Sequence, residues 1–219
     1  MGQATQWFFS ENGYSFKHMQ KCPERARLFL EYSASPDPNL LFLDQTLLQR
    51  VKVHKRGATS YFSVRAWRQN VRELQLKAMR NLKRTPSEEN AQHIASEIVA
   101  AARLLTNGAA YDCVCPVPAG SSGKTNNFAT IIAWYVAREL NLPMYRALQG
   151  CTMAASAHKS TSSHPMQSRH FRSKLVDARV REKFCLLVDD VATTGVHFER
   201  CTAQLAKMGS PAVCVCWIA

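Results

Sequence analysis

Two adjacent acids followed by two threonines and a glycine form the most informative stretch of this sequence. In "LLVDDVATTG" (186–195), an apolar run predicts a buried strand, and Asp189 and Asp190 follow where that strand would end. Carboxylates in this position can accept hydrogen bonds from sugar hydroxyls. They can also hold a divalent ion such as Mg²⁺, directly or through water. The pair is therefore a candidate site for a sugar or a metal.

The turn after the acids predicts a site for a phosphate group. It leads into the predicted helix "HFERCTAQLAKMG" (197–209), and the first amides of a helix have no intrahelical acceptor. These amides and the positive end of the helix dipole favour an anion. The predicted phosphate cup consists of Ala192, Thr193, Thr194, Gly195, Val196 and His197.

A second stretch, "PVPAGSSGKTNN" (116–127), resembles the end of the nucleotide-binding pattern G-x-x-x-x-G-K-[ST]. Gly123, Lys124 and Thr125 match it, but Pro118 stands where the first glycine belongs. A P-loop NTPase, with "CLLVDD" (185–190) as its Walker B strand, is therefore one alternative. T-T-G has no role in that alternative, and few strands remain for such a core.

Strands and helices alternate around both stretches. The predicted strands are "AYDCVCPVP" (110–118), "PMYRALQG" (143–150), "KFCLLVDD" (183–190) and "PAVCVCWIA" (211–219), with a helix over 126–141 between the first two. This order predicts an α/β fold, a parallel sheet flanked by helices with ligands at the carboxyl ends of the strands. The polar, basic segment from about 150 to 183 is predicted to be a flexible loop over the site.

Positive charge is concentrated before this α/β region. The chain has a formal net charge of +12, and from Arg50 to Arg84 there are eleven Lys or Arg against the single acid Glu73. Apolar residues at helical spacing predict an amphipathic helix from Ser63 to about Lys83. Its basic face is either merely solvated or a surface for nucleic acid, through Arg65, Arg68, Arg72, Arg80 and Lys83. A second helix is predicted from a Thr85 cap to Gly108.

Cysteine usage and hydropathy predict a reduced cytoplasmic protein. None of the eight cysteines lies in a C-x-x-C pair, while Cys113 and Cys115, like Cys214 and Cys216, alternate within strand-like runs. Buried reduced thiols are the expected state. No signal peptide is recognisable, and no apolar run approaches the roughly 18 residues that span a bilayer, so we expect no membrane association.

The stretch from Leu186 to Gly195 resembles the signature of type I phosphoribosyltransferases, which bind 5-phosphoribosyl-1-pyrophosphate (PRPP). The resemblance extends over about residues 60–219 and is closest to the ComF-like group, where a "PVP" strand end also leads to a loop and a helix. Paired zinc-ribbon cysteines of that group are missing, since Cys22 stands alone. The resemblance implies a domain over 61–219 with a hood over 1–60.

The resemblance also implies a reaction and roles for particular residues. PRPP and Mg²⁺ bind, a nucleophile attacks the anomeric carbon, and pyrophosphate leaves. Asp189 and Asp190 contact ribose and the metal, and Lys159 and Arg169 of the long loop assist catalysis. Pyrophosphate contacts are implied for Ala119, Gly120, Ser121, Ser122, Gly123 and Lys124.

A non-catalytic role on the same fold is the alternative of a different class. Some proteins of this fold bind a nucleotide or nucleic acid as regulators. DNA uptake and antiphage defence, as in retrons, are the settings that this alternative suggests. Homo-oligomers or complexes with other proteins are compatible with both possibilities, and the acceptor of an enzymatic reaction stays open.

Overall fold

The computed structural model describes residues 37–108, 110–119, 127–152 and 171–219. They belong almost entirely to the compact unit Asn39–Ala219. Its helices are α1 (Pro38–Thr46), α2 (Arg72–Arg84), α3 (Glu88–Leu105), α4 (Phe128–Leu140) and α5 (Val196–Ala206). Its strands are β1 (Lys52–Arg56), β2 (Thr59–Arg65), β3 (Cys113–Pro116), β4 (Leu148–Thr152), β5 (Phe171–Leu175), β6 (Cys185–Val191) and β7 (Ala212–Ile218).

The main sheet has the strand order β1-β2-β7-β6-β3. The β2–β7, β7–β6 and β6–β3 pairs are parallel, and β1 adds an antiparallel edge through its hairpin with β2. Strand β6 lies between β7 and β3, so its carboxyl end has a parallel neighbour on each side. The predicted α/β class, a parallel sheet flanked by helices, is confirmed.

Alternate residues of each central strand pack into different hydrophobic clusters. Leu186 and Val188 of β6 join a cluster with residues of α1 to α4 on one face. Cys185 and Leu187 join a second cluster with Phe198, Cys201 and Leu205 of α5 on the other. Because strand side chains alternate between faces, an unbroken apolar run such as that of β6 is needed where both faces are covered.

The prediction of one helix from Ser63 to Lys83 is wrong for Ser63–Val71. Residues Thr59–Arg65 form β2, which pairs with β7, and a short 3₁₀ turn at Gln69–Val71 precedes α2. Only Arg72–Arg84 is α-helical, and Leu82 lies on its buried face. The aromatic and β-branched run of β2 suits a strand, and its pairing partners lie about 150 residues further along the chain.

Two smaller predictions also need correction. Helix α3 is capped by Ser87, whose side chain accepts a hydrogen bond from the Asn90 amide, rather than by Thr85. The predicted strand at 143–150 does not form a full strand of the main sheet. Met144 forms a bridge with Val114, and residues 148–150 are the start of β4, which pairs with β5 in a separate two-stranded sheet. Both ends of the predicted loop over 150–183 are therefore regular structure.

The described cysteines behave as predicted. Six are free and buried, and they are Cys113, Cys115, Cys185, Cys201, Cys214 and Cys216. Within the residues that the structure describes, there is no helix with both the length and the apolarity that a membrane crossing requires.

Candidate functional site

The acid pair lies at the carboxyl end of β6. Asp189 is opposite Cys216 of β7, and the neighbouring strand β3 ends at Pro116, opposite Val188. Both carboxylates are buried, with about 6% of each residue exposed. The amide of Asp190 donates to Asp189 Oδ1 at 2.9 Å, and the amide of Val191 donates to Asp190 Oδ1 at 2.7 Å. These bonds fix the orientation of both side chains.

The two acids have different surroundings. Asp189 lines a small cavity of about 50 Å³ together with residues 191–198. Burial and the neighbouring charge of Asp190 raise the pKa of Asp189 well above its ordinary value. Asp190 instead contacts a cation, because Lys83 Nζ donates to its Oδ1 at 2.8 Å. The residues adjacent in sequence therefore have separate electrostatic roles.

The turn from β6 to α5 has the local geometry of the predicted phosphate cup around Gly195. Gly195 is the N-cap of α5 with φ +71°, a left-handed conformation, and a Cβ added there would lie 2.5 Å from Tyr61 Cε1. Glycine is therefore required on two counts. Val196 is the first helical residue, so its amide has no intrahelical acceptor, and Thr193 and Thr194 are exposed beside it.

One predicted member of the phosphate cup, Ala192, uses its backbone amide within the sheet. The Ala192 amide donates to the Ile218 carbonyl of β7 at 2.9 Å, so it is not free for a phosphate. His197 lies near Asp190 and Lys83, and burial lowers its pKa, which favours the neutral imidazole. Without the Ala192 amide, the predicted phosphate cup consists of the residues from Thr193 to His197.

The second predicted loop begins and ends beside the acids. The Val117 amide donates to the Val188 carbonyl at 2.8 Å, and Asn127 Nδ2 donates to the Val117 carbonyl at 3.3 Å. Asn127 also caps α4 through its side chain. Ala119 is described, half-buried, just beyond this point. Outside the described residues lie Gly120, Ser121, Ser122, Gly123, Lys124, Lys159 and Arg169.

The residues predicted to face nucleic acid are separated by the fold. Arg72 and Arg80 are exposed on α2, and Arg68 is exposed before it. Lys83 is paired with Asp190, and its pKa is raised because this ion pair more than offsets the lowering by burial. A nucleic-acid surface stays a prediction, with Arg68, Arg72 and Arg80 as its exposed members outside the ion pair of Lys83.

Arg65 is not on a basic face, and the prediction that it is exposed there is wrong. It is buried at the end of β2, where Nε donates to Glu97 Oε2 at 2.8 Å and the terminal nitrogen pairs with Glu97 Oε1. Trp217 Nε1 also donates to Glu97 at 2.8 Å, and His93 Nε2 lies 3.1 Å from Asp44. Arg65 is therefore neutralised within the fold.

Lys83 is the site residue whose role sequence reasoning missed. Its type and position in a basic helix indicated a solvent-exposed or nucleic-acid residue, whereas it contacts an acid 107 positions away. A helix that ends with Lys83 and Arg84 beside a strand-end acid pair could have suggested the contact only if the packing of α2 were known.

No family model and no curated protein matches the sequence. The chain is similar to a solved hypothetical protein from Neisseria gonorrhoeae with bound ppGpp, at 20% identity and a TM-score of 0.40 over 58% of this chain and 65% of that one, just under two thirds. It is similar to adenine phosphoribosyltransferase from Leishmania tarentolae, at 12% identity and a TM-score of 0.41, over 82% of this chain and 72% of that one. It is also similar to a hypoxanthine phosphoribosyltransferase from Staphylococcus aureus, at 14% identity and a TM-score of 0.36, over 63% of this chain and 68% of that one. Function is therefore inferred from the site itself.

Proposed function

We propose that this protein binds PRPP with Mg²⁺ and transfers or releases its ribose 5-phosphate group with loss of pyrophosphate. One observation carries the proposal. A buried acid pair at the end of β6 is followed directly by the glycine-capped N-terminus of α5, so sugar-binding and phosphate-binding groups are about one short turn apart. Ribose 5-phosphate presents both hydroxyls and a phosphate, so one such ligand could use both kinds of group.

The chemistry of the acids suits Mg²⁺. Mg²⁺ prefers carboxylate and water oxygens in octahedral geometry, and it is usually held by one or two carboxylates together with substrate phosphates. Asp189 and Asp190 provide two carboxylates at the sheet edge where ligands of parallel sheets bind. When bound, the ion would supply positive charge to the leaving pyrophosphate.

The residues of the chain would then orient the sugar for displacement. Asp189 and Asp190 would accept hydrogen bonds from the ribose hydroxyls, and the amides at the start of α5 would hold the 5′-phosphate. The nucleophile forms a bond to the anomeric carbon while the bond from that carbon to pyrophosphate oxygen breaks, and the electron pair leaves with pyrophosphate. Fixed carboxylates near the ring would stabilise the positive charge that develops on it. Gly120–Lys124, Lys159 and Arg169 would act on the pyrophosphate in this proposal.

Calorimetric titration with PRPP and Mg²⁺ tests the proposal directly. The informative variant is the double change Asp189→Asn and Asp190→Asn, with Asp177→Asn as a matched control. Asp177 is also a carboxylate, but it pairs with Arg179 at the 3₁₀ turn Ala178–Val180. Ser210, just before β7, donates to the Val180 carbonyl at 2.6 Å, so this turn is at the amino ends of the strands and the acid pair at the carboxyl end of β6. We expect PRPP binding to the wild type and the control, and none to the double variant.

The double variant should fold. Asp189 is buried with a raised pKa, so an uncharged amide of nearly the same shape suits its surroundings. Far-UV circular dichroism and a urea midpoint close to that of the wild type would confirm this. Unfolding of the double variant would show that the pair is structural. Binding of ATP without PRPP would favour a P-loop NTPase, and PRPP binding that survives the double change would place the site elsewhere.

A further inference from the structure

Lys83 reaches the acid pair from a helix that precedes it by more than one hundred residues. Its Nζ lies 2.8 Å from Asp190 Oδ1, the same oxygen that accepts the Val191 amide. The Asp190 side chain is 9% exposed and the Lys83 side chain 40% exposed. One end of the pair is therefore fixed in the protein, while the lysine remains accessible to solvent.

The position of Lys83 is set by the packing of α2. Gln75, Ala78, Met79 and Leu82 form the buried face of this helix. Gln75 also anchors it, because its side-chain oxygen accepts the Arg68 amide at 3.0 Å and its Nε2 donates to Thr46 Oγ1 at 3.1 Å. This buried face holds the last turn of α2 beside the carboxyl end of β6, within reach of Asp190.

Among the residues that the structure describes, three titratable groups affect Lys83 or are affected by it, and these are Asp189, Asp190 and His197. Asp190 is its direct partner and Asp189 adds a second favourable charge. His197 is affected by Lys83 and Asp190 in opposite directions. Within the described ranges, Lys83 is the cation found in an ion pair with either acid.

We propose that Lys83 is a built-in counter-ion that takes the place of a divalent cation at Asp190, so that the lysine and the ion compete for this carboxylate. The inference rests on the proposed function, since it assumes that the ion binds to the acid pair. It adds a second role for the lysine. An empty site with two carboxylates would repel a polyanion, and Lys83 offsets that repulsion before the ion arrives.

The geometry requires an exchange rather than joint binding at this oxygen. A Mg²⁺–oxygen bond is about 2.0–2.1 Å long and the ion keeps an octahedral shell. Oδ1 of Asp190 already accepts hydrogen bonds from the Val191 amide and from Lys83 Nζ, which use both of its lone pairs, so an ion that binds this oxygen must displace one of these donors. The ammonium group is the one that would also repel the ion. The lysine stem is long and partly exposed, so Nζ can leave Asp190 and donate to a ligand phosphate instead. Metal alone should therefore bind weakly, and metal with a polyanion should bind more strongly.

The experiment compares Lys83→Met with Lys77→Met and Lys83→Arg. Lys77 lies on the same helix and is exposed, so Lys77→Met removes an equal charge away from the acids. Lys83→Arg retains the charge and serves as the conservative variant. Mn²⁺ alone is titrated into each purified protein and its free concentration is followed by electron paramagnetic resonance, in the presence and absence of ribose 5-phosphate.

We expect Mn²⁺ affinity to rise about threefold to fivefold in Lys83→Met, as removal of one partly exposed charge partner would give. The Mn²⁺ affinity of Lys77→Met should equal that of the wild type, and the affinity of Lys83→Arg should stay as low as that of the wild type. Ribose 5-phosphate measured in EDTA should bind Lys83→Met more weakly than the wild type. Circular dichroism checks that every variant is folded.

Two failures can be told apart. Equal Mn²⁺ affinity in the wild type and Lys83→Met, with PRPP binding intact and abolished by the acid double variant, overturns the counter-ion role alone. If neither Mn²⁺ nor PRPP binds the wild type or Lys83→Met, the proposed function fails and the inference fails with it. An equal rise in Lys77→Met would show a general effect of net charge and would also overturn the specific role of Lys83.

Discussion

Replacement of Gly195 by alanine tests the construction of the phosphate cup. Gly195 and Gly108 both have left-handed backbone conformations, with φ +71° and +74°. A Cβ at Gly108 would meet nothing within 4 Å, whereas at Gly195 it would lie 2.5 Å from Tyr61 Cε1 and 3.2 Å from Arg56 Cβ. Gly108→Ala therefore measures the backbone cost alone, and Gly195→Ala measures that cost plus a steric clash.

The difference between the two variants can be estimated. The left-handed conformation costs alanine about 1 kcal/mol relative to glycine. Ordinary carbon contacts are about 3.5–4.0 Å, so relief of the clash needs a shift of about 1 Å. The Tyr61 ring is confined, since it stacks on His54 at 4.9 Å and packs on Phe198 at 5.2 Å between centroids. Overpacking of this kind costs about 1–3 kcal/mol.

Urea unfolding of both variants and the wild type measures these costs. We expect the free energy of unfolding to fall by about 1 kcal/mol in Gly108→Ala and by about 2–4 kcal/mol in Gly195→Ala. PRPP affinity should fall only in Gly195→Ala, because only this change moves the start of α5. Equal losses of stability in the two variants, or unchanged ligand affinity in Gly195→Ala, would refute the assignment of the cup.

Three further predictions concern stability and thiol chemistry. Hydrogen bonds to Asp44 and Glu97 raise the pKa of His93 from 6.5 to about 9, so its stabilising contribution is full below pH 6.5 and is lost as the pH rises through 9. His93→Gln should flatten that alkaline loss in urea midpoints measured across pH. For Glu97, burial opposes ionisation, but hydrogen bonds led by His93 and Arg65 hold its pKa at about 2 against 4.5, so its contribution is present above pH 4.5 and is lost as the pH falls through 2. Glu97→Gln should remove that acid limb and cost about 3 kcal/mol at pH 7, because it leaves a buried arginine without its main partner. A variant with Cys22→Ser and Cys151→Ser keeps the six buried thiols and should react with Ellman's reagent only when unfolded, so fast reaction of the folded protein would contradict their burial.

The features that could be predicted from the sequence are local ones. The acids, the turn and the start of α5 are contiguous, so a strand that ends at the acid pair and a helix starting near Gly195 fix their arrangement without knowledge of other elements. The alternation of cysteines in β3 and β7 likewise predicted burial from neighbours in sequence. Features that depend on distant pairing were missed. The predicted helix includes Ser63–Arg65, but these residues are the end of strand β2 because β7 offers it a parallel partner.

The same distinction changes the interpretation of the positive charge. The sequence places eleven basic residues between Arg50 and Arg84, which favours a surface for nucleic acid when each is counted equally. In the structure Arg65 is neutralised by Glu97 and Asp44, and Lys83 by Asp190. These two charges stabilise the end of β2 and the acid pair rather than attract a phosphate backbone. A binding surface must therefore be argued from the remaining exposed basic residues, such as Arg68, Arg72 and Arg80, and the lysine near the end of α2 belongs with the strand-end acids.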